Sequence, residues 1–301
     1  MSTPGWDVVG LGENSVDVVY RVDGPVEAGA KLPIVVRRVS YGGQVATTLA
    51  TCATLGLRTT YVGALGHDEH GTRMREALVR CGVDVSYAVV RPVANRDAVI
   101  VVDRRTGERT VLWSRDPGLR LETAAVPREA VARARLLHVD DTDPDAALAA
   151  IAVAREAGIP VTCDLDRVTD ATSAILSGVT VPILAERLPE ALTGEADLER
   201  ALRVLRRRHD GLLCVTRGAR GALLLENDRL HAVAAPAVEA IDTTAAGDVF
   251  RGAFIYGLLR EDAPVAILRF AVAAAAVACT REGALDAVPP IADVRRLLSE
   301  T

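Results

Sequence analysis

Asp242-Thr243-Thr244-Ala245-Ala246-Gly247-Asp248-Val249-Phe250 runs directly into an Ala/Gly/Leu-rich helical pattern that continues from Ala246 to Leu259. Backbone N–H groups are unpaired in the first turn of a helix, and the helix dipole adds partial positive charge there. The segment is therefore suited to holding a phosphoryl group. Ala245, Ala246 and Gly247 would shape this anion hole, with Gly247 letting a phosphate approach the backbone. Asp248 adds a carboxylate beside the anion, where it can take a proton from an attacking hydroxyl. The plainer alternative is an ordinary helix start, in which Asp242, Thr243 or Thr244 caps and Asp248 favours the dipole.

Outward from this segment, short apolar runs alternate with helical patterns. Asp7 to Leu11, Thr59 to Val62, Leu136 to Val139, Val161 to Asp164, Val179 to Ile183 and Leu212 to Thr216 read as buried strands. Gln44 to Leu55, Glu69 to Cys81, Pro144 to Ala157, Glu195 to Arg208, Ala246 to Leu259 and Pro264 to Thr280 read as helices. The alternation predicts an α/β fold, a doubly wound, mostly parallel sheet in one domain spanning residues 1–301. Two regions break the rhythm: Val16 to Ser40, and Ser86 to Leu112 with the turn Arg105-Thr106-Gly107-Glu108 between two β-rich runs. They predict a small β-sheet lid, formed by insertions at about 16–40 and 86–113, over the carboxyl ends of the strands where α/β proteins bind ligands.

Composition excludes several function classes. Half of the residues are hydrophobic but only 3% are aromatic, which implies a core of Ala, Val and Leu. A net charge of -5 and few stacking aromatics argue against a nucleic-acid partner. The longest apolar run, Ala271 to Cys279, is too short to cross a bilayer, and Met1 leads to a charged strand without a signal-like segment. A cytoplasmic protein is expected. Five dispersed cysteines form no C-x-x-C pair, and five histidines show no metal or triad spacing. Lys31 is the only lysine and no G-x-x-x-x-G-K-[ST] is present, so phosphates must be held by backbone N–H groups, arginine or metal.

A dinucleotide-binding reading fails at one point. Val8-Val9-Gly10-Leu11-Gly12 begins a G-x-G-x-x-G-like turn, but Ser15 takes the place of the third glycine. Val16-Asp17-Val18-Val19-Tyr20 then reads as a strand rather than the helix that a pyrophosphate needs.

The 242–250 segment resembles the C-terminal signature of the ribokinase (PfkB) sugar-kinase family, and the likeness covers nearly the whole chain. Tyr41-Gly42-Gly43-Gln44-Val45-Ala46-Thr47, running into Leu55-Gly56, resembles the N-terminal signature. Gly12 followed by Asp17 resembles the first strand-to-lid turn, and Val215-Thr216-Arg217-Gly218-Ala219-Arg220-Gly221-Ala222 resembles the strand and turn that hold a nucleotide. Phe270-Ala271 through Cys279 to Gly283-Ala284 resembles the helix that flanks adenine.

The resemblance implies a ribokinase-like fold and transfer of the γ-phosphate of ATP to a sugar hydroxyl, with Asp248 as general base. It implies sugar contacts from Asp17, Asn14, Gly42, Gly43, Gln44 and Thr47, and nucleotide contacts from Thr216, Gly218, Gly221, Ala275 and Cys279. Magnesium would lie near Glu186 and, through water, Asp164. A monovalent cation, potassium, would lie near Asp242, Thr244 and Gly283. A homodimer through the lid is the expected assembly, with ATP and a small sugar as the partners. Two departures from the pattern stand out. Thr47 replaces a common asparagine, and the N-x-x-E motif survives only as Ile183-Leu184-Ala185-Glu186. Ribose, ketohexoses, keto-deoxy sugars, phosphorylated or sulfonated ketoses and nucleosides all remain open as acceptors. A catalytically silent sensor of the same fold is the other reading.

Overall fold

The computed structural model describes residues 5–300 apart from Gly107, Arg208 and Asp210. Gly107 of the expected turn and Arg208 of the expected helix therefore lie outside the described residues. The strands are β1 (Val8–Leu11), β2 (Ser15–Val22), β3 (Val36–Gly42), β4 (Thr59–Gly66), β5 (Asp84–Arg91), β6 (Asp97–Asp103) and β7 (Arg109–Ser114). They continue as β8 (Leu136–Val139), β9 (Val161–Leu165), β10 (Val181–Ala185), β11 (Leu213–Thr216), β12 (Ala222–Glu226) and β13 (Arg229–Val233). The helices used below are α1 (Gln44–Thr54), α2 (Glu69–Arg80), α3 (Pro144–Glu156), α4 (Leu198–Arg206), α5 (Ala246–Leu259) and α6 (Pro264–Cys279).

Nine strands form the large sheet in the order β13-β12-β11-β10-β9-β8-β1-β4-β5. All neighbours from β11 to β5 are parallel, and only the β11–β12 and β12–β13 pairings are antiparallel. The apolar runs are continuous because both faces are covered. Val8, Leu136, Ile183 and Cys214 face one core with α1, α2, α5 and α6. Val9, Leu137, Leu184 and Val215 face the other, with α3 and α4. The fold is thus the expected doubly wound, mostly parallel α/β sheet.

A second sheet, in the order β3-β2-β6-β7, is built from the two regions that break the rhythm. β6 and β7 form an antiparallel hairpin, while β6 lies parallel to β2. One part of the expectation is corrected: Ser86 to Arg91 belongs to β5 and pairs with β4 at the edge of the large sheet. The reason is two-sided packing, since Val85 and Ala88 meet one core and Tyr87 and Val89 the other. The expected helix Glu195 to Arg208 begins later, at Leu198, where the Asp197 carboxylate caps it by accepting the Arg200 N–H at 2.8 Å.

Candidate functional site

The carboxyl ends of β9, β10 and β11 open on two adjoining cavities, one of which lies under the small sheet. The first, of about 610 Å³, is lined by Thr216, Gly218 and Gly221 of the β11–β12 turn, by Ala246, Gly247 and Phe250 of α5, and by Val272, Ala275, Ala276 and Cys279 of α6. All five residues expected to hold a nucleotide lie on its wall. The second, of about 380 Å³, lies under the small sheet and is lined by Glu13, Asp17, Gly43, Gln44, Asp164, Thr244 and Asp248, among others. Thr216 and Gly247 belong to both walls, so the cavities meet at the N-terminus of α5.

No side chain caps α5: Ala245 at its N-cap makes no capping hydrogen bond. A small residue at this position leaves the first turn open toward the cavities, as an anion hole requires. The turn before α5 is fixed instead by Asp242. Its carboxylate accepts the Thr244 N–H at 3.0 Å and hydroxyl at 2.5 Å with one oxygen, and the Gly283 N–H at 3.0 Å with the other. Asp242, Thr244 and Gly283 thus form one loop cluster. At the start of α1, Gly43 adopts φ 104°, and a Cβ there would lie 2.6 Å from the Asn14 Cα. Only glycine allows these two chain segments to meet.

Charge is concentrated in the second cavity. Asp164, next to last in β9, is buried and pairs with Arg251 at 2.7 Å, while Gln44 Nε2 donates to it at 3.3 Å. Asp248 lines the same cavity as Asp164. Desolvation pushes the Asp164 carboxyl up to about 6, against the opposing pull of Arg251. The same cause, with the nearby Asp164 charge added, raises Asp248 well above the usual carboxylate range. Burial also raises Glu13 and Asp17. Asp17 accepts the Ser15 hydroxyl at 2.6 Å with one carboxylate oxygen and lines the second cavity.

Several expected residues lie elsewhere. Asn14 is turned into the protein, donating to Tyr61 Oη at 2.8 Å and to the Ala64 carbonyl at 2.7 Å and accepting from Asn95. Its neighbour Glu13 lines the cavity instead. Thr47 is fully buried with an unpaired hydroxyl, and Gly42 ends β3 paired with Ser15, so neither reaches the cavity wall. Glu186 is partly exposed and pairs with Arg220. Among the described residues, no group of three or more His, Cys, Asp or Glu side chains could hold a metal ion. A magnesium ion here would therefore need phosphate and water ligands besides protein carboxylates.

Sequence reading missed Glu13, Arg251 and Trp113 as cavity residues. Glu13 forms an ion pair with Arg96, which lies 5.6 Å from the Trp113 ring. Glu13 and Arg251 both sit beside motif residues, but only the tertiary pairing shows which way they face.

A nucleotide-sized cavity and a polar one joined at an uncapped helix N-terminus, with a carboxylate on the polar side, define a small-molecule phosphotransferase of the α/β class. The pfkB family carbohydrate kinase model matches residues 7–291, and the chain belongs to that family. It is a carbohydrate kinase of the ribokinase and fructokinase type. It is 26% identical to the ribokinase of Haemophilus influenzae over 287 residues, covering 93% of this chain and 94% of the relative. The fructokinase of Xylella fastidiosa, solved with bound ATP, superposes with a TM-score of 0.83 at 25% identity over 98% of each chain. Arabidopsis thaliana ribokinase, solved with ribose and ATP, shares the fold with a TM-score of 0.86 at 24% identity, over 98% of this chain and 99% of that one.

Proposed function

We propose that this protein transfers the γ-phosphate of ATP to a hydroxyl of a sugar, with Asp248 as general base. The observation that carries the reading is that Gly247 lines both cavities while Asp248 lines only the acceptor one. ATP enters between the β11–β12 turn and α6, and its γ-phosphate reaches the first turn of α5. The sugar lies under the small sheet, held by Asp17, Gly43 and Gln44. Its hydroxyl oxygen bonds to the γ-phosphorus while the bond to the bridging oxygen of ADP breaks, and Asp248 takes the hydroxyl proton. The open N–H groups of α5 offset the charge on the moving group.

Magnesium supplies charge neutralisation on the phosphates when bound. Glu186 is the carboxylate that would serve this role, because its exposed pair with Arg220 opens more readily than the buried pair of Asp164 with Arg251. A monovalent cation, potassium, beside Asp242, Thr244 and Gly283 fixes the loop before α5. Activity should fall when potassium is replaced by a bulky organic cation at matched ionic strength, and equal rates would remove the site.

The reading extends to a homodimer through the small sheet, which acts as a lid. Leu112 and Trp113 on edge strand β7 and Ile34 before β3 are more than half exposed, an apolar surface that pairing would cover. Light scattering at micromolar concentration should give twice the mass of the 31.8 kDa chain, and a monomer alone would remove this element.

An ADP-release screen across pentoses, hexoses, keto-deoxy sugars and nucleosides tests the main reading. At least one acceptor should raise turnover far above background. Background rates with every hydroxyl compound would overturn the assignment in favour of a silent binding protein.

A further inference from the structure

The reaction as drawn leaves Arg251 unused. This residue lies on α5 four positions after Gly247, on the same helix face, and side chains on a helix lean back toward its N-terminus. The guanidinium accordingly returns to the anion hole: Nη1 lies 2.9 Å from the position a Cβ on Gly247 would take. Nη2 is held by Asp164 at 2.7 Å and faces the Ile183 carbonyl at 3.4 Å. Arg251 is only 4% exposed, and its buried Nε has no hydrogen-bond partner. A buried guanidinium N–H left unpaired is costly, and a catalytic role is one of the few reasons such a group is kept. The cation lines the acceptor cavity at the point where it joins the nucleotide cavity. The sole lysine, Lys31, is exposed and lines neither cavity, so it does not serve this place.

Resting on the kinase reading above, we propose that Arg251 is a second catalytic residue, whose guanidinium binds the phosphoryl group as it passes from ATP to the acceptor, aimed by Asp164. No proton moves to or from Arg251. The bond made is between the acceptor oxygen and phosphorus, the bond broken is between phosphorus and ADP, and the proton goes to Asp248. Arginine suits the role because its planar fork donates to two oxygens of one phosphoryl group and stays charged.

The test compares Arg251→Met, Asp164→Asn and the double variant Asp164→Asn/Arg251→Met with the parent. Arg251→Met should lower kcat by roughly 100- to 1,000-fold, the range for removing one charge-stabilising donor, with little change in sugar KM. The double variant carries no unpaired buried charge, so it remains folded where the single one is strained. It should be as slow as Arg251→Met. In the presence of sugar, the parent should bind ADP with aluminium fluoride far more tightly than ADP alone, and the Arg251 variants should lose that gain while still binding ADP. If Arg251 merely neutralises Asp164, the double variant regains the rate of Asp164→Asn and the aluminium fluoride gain survives. That result, or near-parent turnover in Arg251→Met, overturns the proposal. A parent that phosphorylates no acceptor is a different failure: it defeats the kinase reading and this inference with it.

Discussion

The two cavities lie side by side and are built from opposite chemistries. Among the described residues, the larger cavity, proposed above for the nucleotide, is lined by no charged side chain: its wall is glycine, alanine, valine, threonine, proline, Phe250 and Cys279. The smaller acceptor cavity carries Glu13, Asp17, Asp164, Asp166 and Asp248, with Arg96 and Arg251 each paired to a buried carboxylate. Shape, apolar contact and backbone N–H groups can hold a nucleotide without charged side chains, because the helix N-terminus and metal meet its charge. Discrimination among hydroxyl groups, and proton removal, need carboxylates in a partly dehydrated site. The difference teaches that substitutions on the two walls should separate cleanly into ATP effects and acceptor effects.

The largest expected effect breaks the chemistry while sparing the nucleotide wall. Asp248→Asn keeps the helix start and side-chain shape but loses the proton acceptor. Turnover should fall by roughly 100- to 10,000-fold while KM for ATP changes little, since Asp248 does not line the ATP cavity. If Asp248 only favours the helix dipole, the change costs at most about 1 kcal/mol of stability and turnover stays near normal. Turnover and melting temperature measured on one preparation decide between these outcomes.

A smaller effect is expected at the outer wall of the acceptor cavity. Asp17→Ala removes an acceptor for sugar hydroxyls and leaves them unpaired in a closed site. This should raise KM for the sugar roughly 10- to 100-fold with KM for ATP unaltered. An unchanged sugar KM would mean that the carbohydrate does not lie against β2.

The contrast between the cavities also marks what the sequence could and could not show. The wall of the larger cavity was legible because the elements that build it are local in the sequence. A strand-turn-strand with Gly218 and Gly221, and helices rich in small residues, stand in short windows of sequence, and the family resemblance added Ala275 and Cys279, which line the same cavity. The alternating elements predicted the large sheet for the same reason, since each strand's two apolar faces are written in its own residues. The acceptor wall depends on residues far apart in the chain. Whether Glu13 or Asn14 faces the ligand is decided by Tyr61 and Asn95, which draw Asn14 inward. The buried state of Asp164 becomes intelligible only beside Arg251, a residue that helix periodicity alone would place without comment. The edge position of β5 is likewise a matter of pairing with β4, which no local pattern announces.

The smallest effect sharpens the comparison further, because it concerns how the charged wall sets its own proton affinity. Asp248 must be ionised to accept a proton, so activity should rise with pH as it titrates and level off above its pKa. Desolvation raises that pKa, the Asp164 charge raises it further, Glu13 adds to the effect, and Arg251 opposes it. The acid limb of kcat/KM should therefore lie above the range of an ordinary carboxylate. Asp164→Asn removes the largest like-charge contribution without emptying the space, and Arg251 is then opposed by one carboxylate fewer. Ionised Asp248 becomes easier to form, so the acid limb should move to lower pH, even if the plateau rate drops because Arg251 is aimed less well. The measurement is a kcat/KM profile for parent and variant with saturating ATP, read for the position of the limb rather than its height. A limb that stays in place would show that Asp164 does not sense the base, and a limb that moves upward would reverse the sign argued here.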